Sequence, residues 1–359
     1  MSKYFREVYK VEQLPVFQNR MYLTEREAQK CIKDDVVLVQ DLKTGLVFNK
    51  FFNPQVMQYD ESYQNEQAIS LLFKSHLVDV SKIIIKNFTG FTLIEVGCGK
   101  GFFLELLRDI GFEITGFYPT YEGVNPRIIN HYFTPELALH ADGVILRHVL
   151  EHVKDPIEFL DNIKESNEGG GKVYIEVPCF DWICKHCTWF DVFYEHVNYF
   201  RISDFDRMFG KVYESGHIFG GQYLYVVADL KTLQSPVFDD RCCFEFPKDF
   251  ISSVEFSASN IQCEPSNKVV VWGGASKGVI FCIFMQRAGV AVDFVIDINP
   301  AKQGKYLPTT GLRVYSPEEV LKQIDKCTDI YIMNSNYLDE IKKMTSNQFN
   351  YIMVDHERV

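Results

Sequence analysis

Four short stretches of this chain carry side chains suited to chemistry. In "LRHVLEHVKDP", His148 and His152 stand four residues apart after an apolar run, a spacing that puts both on one face of a helix. In "FYEHVNYF", Glu195 and His196 lie in an aromatic segment that can exclude water and shift their pKa values. These groups can remove a proton from a carbon beside a ketone or from a hydroxyl. His196 or Glu195 is the expected base, with His152 assisting or holding an oxyanion and Tyr63 or Tyr194 supplying a hydroxyl. Glu151 is expected on another helix face, which leaves His148 and His152 short of the ligands a metal needs.

The third stretch is "TLIEVGCGKGFFLELL". Glycine loops between a strand and a helix bind pyrophosphate through backbone N–H groups, and an acid in the final strand turn opposes that. Glu95 is such an acid, followed by Gly97, Gly99 and Gly101. A carboxylate there suits S-adenosylmethionine, which carries an ammonium and a sulfonium and no phosphate. The expected cofactor-facing set is Glu95, Gly97, Cys98, Gly99 and Gly101, with Tyr118, Glu122, Arg147 and His148 after the following strands.

The fourth stretch, "VVVWGGASKG", reads G-x-A-x-x-G through Gly273, Ala275 and Gly278, with Asp297 at the end of the next strand. Ala275 stands where a glycine would let pyrophosphate approach, so this is a weak dinucleotide signal. A Rossmann-like domain without a cofactor of its own, or one holding part of a substrate nucleotide, fits it better.

The elements that must position these residues follow from hydrophobic period. Up to residue 62 the chain reads as a small lobe, with a short helix at "EREAQKCIK" and a hairpin in "VVLVQDLKTGLVFN" turning at Asp41 to Gly45. Helical period runs from Tyr63 to Asn87. Strands are expected at Leu93–Val96, Glu113–Tyr118, Gly143–Arg147 and Lys172–Pro178, with helices at Phe102–Asp109 and Pro156–Glu165 between them. The stretches "KVYESGHIF" and "QYLYVVADL" then form an antiparallel pair. This predicts an α/β fold: a mostly parallel Rossmann-like sheet with an antiparallel end hairpin over residues 63–230. Residues 231–265 read as a linker, and a second Rossmann-like α/β domain occupies 266–359.

Composition narrows the function classes. A formal net charge of −11 without a basic run argues against nucleic acid as partner. No window is apolar enough to span a bilayer, and the N-terminus lacks a signal-peptide core. The ten cysteines are scattered, which predicts a reduced, cytoplasmic protein. Cys184 and Cys187 form one C-x-x-C with no second pair to complete a zinc site, and read as cysteines in or near a partly buried loop.

Taken together, "EVGCGKGFFLELL", "ILRHVLEHVKDP", "VYIEVP", "FYEHVNYF" and "VVWGGASKGV…VIDINPAKQGKYLPTTG" resemble the sugar C-methyltransferases that use S-adenosylmethionine. The resemblance implies an N-terminal zinc lobe, a catalytic domain and a C-terminal domain helping to enclose a nucleotide-linked keto sugar. Three positions depart from that pattern. Asp41 and Thr44 stand where the zinc thiolates would be, so no metal is expected in the lobe. Tyr118 replaces the acid that would grip the ribose diol, a task left to Tyr118 or Glu122. Phe193 replaces a tyrosine of the catalytic cluster. The expectation is methyl transfer to a small sugar-like substrate, nucleotide-linked and with a proton to be removed. O-methylation, a non-catalytic nucleotide-sugar or partner-binding role, and nicotinamide chemistry in the C-terminal domain are the alternatives. The sequence leaves the oligomeric state open.

Overall fold

A computed structural model of the chain describes residues 4–57, 68–88, 90, 92–137, 139–262, 268–326 and 328–355. Tyr63 lies outside the described residues.

The central sheet has seven strands in the order Val212–Ile218, Tyr223–Asp229, Lys172–Pro178, Gly143–Arg147, Thr92–Val96, Glu113–Phe117, Ile128–Ile129. All pairings are parallel except those of Tyr223–Asp229, which runs antiparallel to both neighbours. This is the expected sheet with its end hairpin. The inner strands are near-continuous apolar runs because helices cover both faces: Val144, Ile145 and Leu146 are each fully buried. Helices Phe102–Asp109 and Pro156–Ser166 fall where expected. The helix expected to reach back to Tyr63 is described over Leu71–Asn87, with Ser70 capping it by accepting from the Phe73 N–H. The two-residue strand Ile128–Ile129 is too short for periodicity to reveal.

The N-terminal lobe is an antiparallel sheet of Phe5–Pro15, Lys33–Asp41 and Val47–Asn49, with the hairpin turn as expected. Asp41 and Thr44 hydrogen-bond each other across that turn at 3.1 Å. A fourth strand, Asn198–Tyr199, comes from the catalytic domain and pairs with Val47 and Phe48. The lobe therefore braces the segment that holds Glu195 and His196. Leu14, Val36 and Leu38 place the sheet's inner face in the main core.

The C-terminal domain is a five-stranded parallel sheet in the order Val314–Tyr315, Phe294–Ile296, Val270–Trp272, Asp329–Ile332, Asn350–Met353. The lobe also docks onto it, with the backbone of Tyr22 and Tyr306 exchanging hydrogen bonds and Asn19 Nδ2 donating to Ser276 Oγ at 2.9 Å. The segment expected to be a linker is part of the packed structure. Ser252–Gln262 is a helix, and Phe250 is fully buried against the Tyr9 ring. Isolated aromatic anchors fix this stretch, which is why it lacked a readable period. Among the described residues no helix is long and apolar enough to cross a membrane.

Candidate active site

The glycine loop sits at the carboxyl end of Thr92–Val96, where open α/β sheets receive ligands. Gly97, Gly99 and Gly101 all have left-handed φ values, 77°, 55° and 81°. A side chain on Gly97 would collide with Val149 and one on Gly101 with Ile128, whereas a Cβ on Gly99 would point into open space. The loop thus offers an exposed backbone at one position and tight packing on either side. Glu95 is 3% exposed, and its Oε2 has no hydrogen-bond partner. Burial pushes its pKa up to about 7, against the opposing pull of Arg147. A buried acid with an orphaned oxygen beside an accessible glycine backbone fits a ligand that brings its own cation. The Cys98 side chain is buried, its thiol packed inward near Gly116 and Leu104. Tyr118 is half-buried at the end of the next strand, and Glu122 is exposed on the following turn.

Arg147 and His148 belong to a buried hub around Glu176, an acid the sequence reading did not single out. Glu176 is fully buried and accepts from Arg147 Nε at 2.9 Å, His76 Nε2 at 2.8 Å and the Tyr174 hydroxyl at 3.1 Å. His148 Nε2 stands 3.2 Å from it as an ion pair. Burial alone would raise the Glu176 pKa, but Arg147 and the two histidines hold it well below the usual carboxylate range. For His148 burial opposes the charge, yet Glu151 and Glu176 outweigh it and lift the pKa to about 9. Arg147 is turned into this hub, and its guanidinium lies over the Phe103 ring.

The expected helix carrying His148 and His152 on one face is absent. His148 has φ 52°, and only a single turn of 3-10 helix, Leu150–His152, follows. A non-glycine residue in that region costs about 1–3 kcal/mol and marks a constrained site. The break lets Glu151 join the histidines instead of facing away. Glu151 Oε1 lies 3.3 Å from His148 Nδ1, and Glu151, His152 and His196 hold ligand atoms within 4.8 Å of one another.

His152 Nδ1 donates to the Glu195 carbonyl at 2.8 Å. The His196 ring packs under Phe193 at 3.9 Å and beside His152 at 5.1 Å. Burial, and then His152, His148 and Lys277, hold the His196 pKa well below that of a free histidine, so its imidazole is neutral. Glu195 is buried, and its Oε2 accepts from the Gln18 N–H at 2.7 Å. This pins the acid to the N-terminal lobe, a contact no local pattern announces. Tyr194, expected to offer a hydroxyl to the site, instead points into the lobe. It donates to Asp34 Oδ2 and accepts from Asn53 N–H at 2.9 Å. Of the C-x-x-C pair, Cys184 lies in the helix Phe180–His186 and Cys187 caps it.

A cavity of about 240 Å³ joins these groups to the C-terminal domain. His148, His152, Phe193 and His196 line it together with Gly273, Lys277, Asp297 and Lys302. The glycine loop after Thr92–Val96 is not part of its lining. The second loop opens the helix Ser276–Arg287, whose N-cap, Ala275, makes no side-chain cap. Gly278 packs directly against the Gly273 carbonyl. Lys277 pairs with Asp191 at 2.8 Å and Lys302 with Asp297 at 3.4 Å. Tyr223 and Tyr337 also line the cavity, and both were missed. Tyr223 lies in the expected end hairpin, but its face could be known only once its packing on His148 at 4.5 Å was seen.

Residues 59–212 match a family described as a methyltransferase domain, and residues 259–351 match the C-methyltransferase C-terminal domain. The C-methyltransferase NovU of Streptomyces niveus is 23% identical over 305 residues, covering 74% of this chain and 71% of that protein. A tRNA U34 carboxymethyltransferase of Campylobacter curvus is 26% identical over 110 residues, 26% of this chain and only 37% of that protein. Among solved structures, a SAM dependent methyltransferase from Archaeoglobus fulgidus matches at 16% identity and a TM-score of 0.33, over 44% of this chain and 93% of that one. The chain is a methyltransferase, and its cofactor is S-adenosylmethionine.

Proposed function

We propose that this methyltransferase transfers a methyl group to carbon in a nucleotide-linked keto sugar, in a reducing, cytoplasmic setting. The observation that carries this reading is one cavity lined by two unlike sets of groups. Neutral imidazole beside buried carboxylates is equipment for moving a proton. An uncapped helix N-terminus with Lys277 and Lys302 is equipment for a phosphorylated handle. A small reactive ring tethered to a diphosphate matches both.

When bound, S-adenosylmethionine supplies an electrophilic methyl carbon whose bond electrons leave with sulfur. Glu95 and the exposed backbone at Gly99 would hold it, with Tyr118 near the adenosine end. The remaining chemistry belongs to this chain. His196, or Glu195 beside it, removes the proton next to the substrate ketone, and the electron pair of that C–H bond becomes the nucleophile. His152 Nε2, left with a lone pair because its Nδ1 proton is engaged by the Glu195 carbonyl, takes up the relayed proton and only then can donate to the enolate oxygen. Phe193 and Tyr223 keep water from the imidazoles.

O-methylation is the second reading. It is favoured by one feature, the absence of a hydroxyl at Phe193, which leaves an enolate with one donor fewer. Calorimetric titration with uridine and thymidine diphosphates tests the proposed phosphate-binding groups. Binding that weakens at least tenfold in Lys277→Met supports the proposal, and no binding at millimolar nucleotide contradicts it.

A further inference from the structure

Glu151, His152 and His196 form the only cluster among the described residues with three potential metal ligands in reach of one another. The resemblance to sugar C-methyltransferases assigns no metal to this position, and the sequence reading excluded one. We propose that this trio binds one divalent first-row transition-metal ion of the zinc class, and that the ion excludes the proton traffic the same atoms carry.

The donor set is two imidazoles and a carboxylate, which suits such an ion and leaves coordination positions for water. His152 is already oriented as metal-ligating histidines are: its Nδ1–H is held by the Glu195 carbonyl at 2.8 Å, which leaves the Nε2 lone pair for a cation. Glu151 is 1% exposed, and its Oε2 has no hydrogen-bond partner. A buried carboxylate oxygen without a donor is rare in a native fold and calls for an explanation such as an ion. The His196 ring lies beside that of His152, with centroids 5.1 Å apart, which puts a second imidazole within reach of the same ion. All three residues line the cavity, which gives the ion a route in. The charges are mixed. His148 and Lys277 oppose a cation, while Glu151 and the nearby Glu176, Glu195 and Asp191 favour it. Ligand atoms now within 4.8 Å must close to roughly 3.3 Å around a zinc-sized ion. Binding therefore selects a contracted arrangement of three side chains already in place.

The binding claim stands apart from the proposed function, because it can be read without substrate. Chelator-treated full-length protein is titrated with cobalt(II) and followed by its visible d–d absorption, with zinc(II) calorimetry alongside. One equivalent should bind, and Glu151→Gln and His152→Asn should each weaken binding at least tenfold. Cys184→Ser with Cys187→Ser should leave it unchanged, and S-adenosylhomocysteine affinity should be equal in all variants if they are folded. No saturable binding, affinity unaltered in Glu151→Gln, or affinity that follows the cysteines overturns the site. The exclusion rests on the proposed function: zinc(II) should abolish methyl transfer and excess chelator restore it. Activity retained or raised in the metal-loaded protein overturns the exclusion.

Discussion

His152 Nδ1 lies 2.8 Å from the main-chain oxygen of Glu195, and a carbonyl can only accept. The neutral ring therefore carries its proton on Nδ1 and presents the Nε2 lone pair, in the way a general base or relay must. Replacing His152 by Asn should lower kcat by about 10²–10⁴-fold, the usual worth of positioned acid–base catalysis. S-adenosylhomocysteine affinity should stay within about twofold. Single-turnover rates and calorimetry check the two halves, and an unaltered kcat would remove His152 from the chemistry.

Glu95 titrates near 7 in the ligand-free protein because it is buried. A bound ammonium favours its ionised form, so below about pH 7 binding must release a proton. Cofactor affinity should rise with pH up to about 7 and level off above it. Glu95→Gln should bind weakly at every pH and lose the slope. Calorimetry across pH 5.5–8.5 (a range of about three units) reads both effects, and a flat wild-type profile would contradict the assignment of Glu95.

Glu176 holds Arg147, His148 and His76 together in the interior. Glu176→Gln leaves buried cations without their partner and should destabilise the fold by about 3–5 kcal/mol in urea unfolding. The His148 pKa is raised to about 9 in the folded chain, above its free value of 6.5. The stability it contributes is fully present below 6.5 and is lost as pH rises through 9. Wild-type stability should fall over that window, and the Glu176→Gln variant should show a shallower fall. Equal slopes would mean that His148 does not depend on this acid.

Lys277 stands at the N-terminus of Ser276–Arg287 and lines the shared cavity. Lys277→Met should raise KM for a nucleotide-linked acceptor by about tenfold to a hundredfold, the worth of one charge-assisted hydrogen bond. The cofactor's Kd should not move. A kcat loss at constant KM would place Lys277 in the chemistry instead.

Much of the fold was legible because buried parallel strands are runs such as "GVILR", and because glycines at 97, 99 and 101 occupy positions where φ is positive. Glu95 and the Glu195–His196 pair could be singled out for the same reason: their chemistry sits in a local motif. What could not be read depends on contacts between distant segments. Asn198–Tyr199 is two residues long and becomes a strand only because Val47 and Phe48 lie beside it. Tyr194 is drawn to Asp34, and Glu195 to Gln18, by a lobe that a local reading treats as separate. The left-handed backbone at His148 breaks the helix the four-residue spacing implied, and so brings Glu151 into the site. Phe250 anchors a stretch with no period of its own.

The central claim is methyl transfer to carbon beside a ketone. The direct measurement is carbon NMR of the product formed from methyl-labelled S-adenosylmethionine and a nucleotide-linked keto sugar, with wild type compared with the Glu195→Gln, His196→Gln double variant. The account predicts a high-field methyl carbon coupled to a ring carbon in the wild-type product, and none with the double variant. A low-field methyl carbon bound to oxygen, or a C-methyl signal undiminished in the double variant, would contradict it.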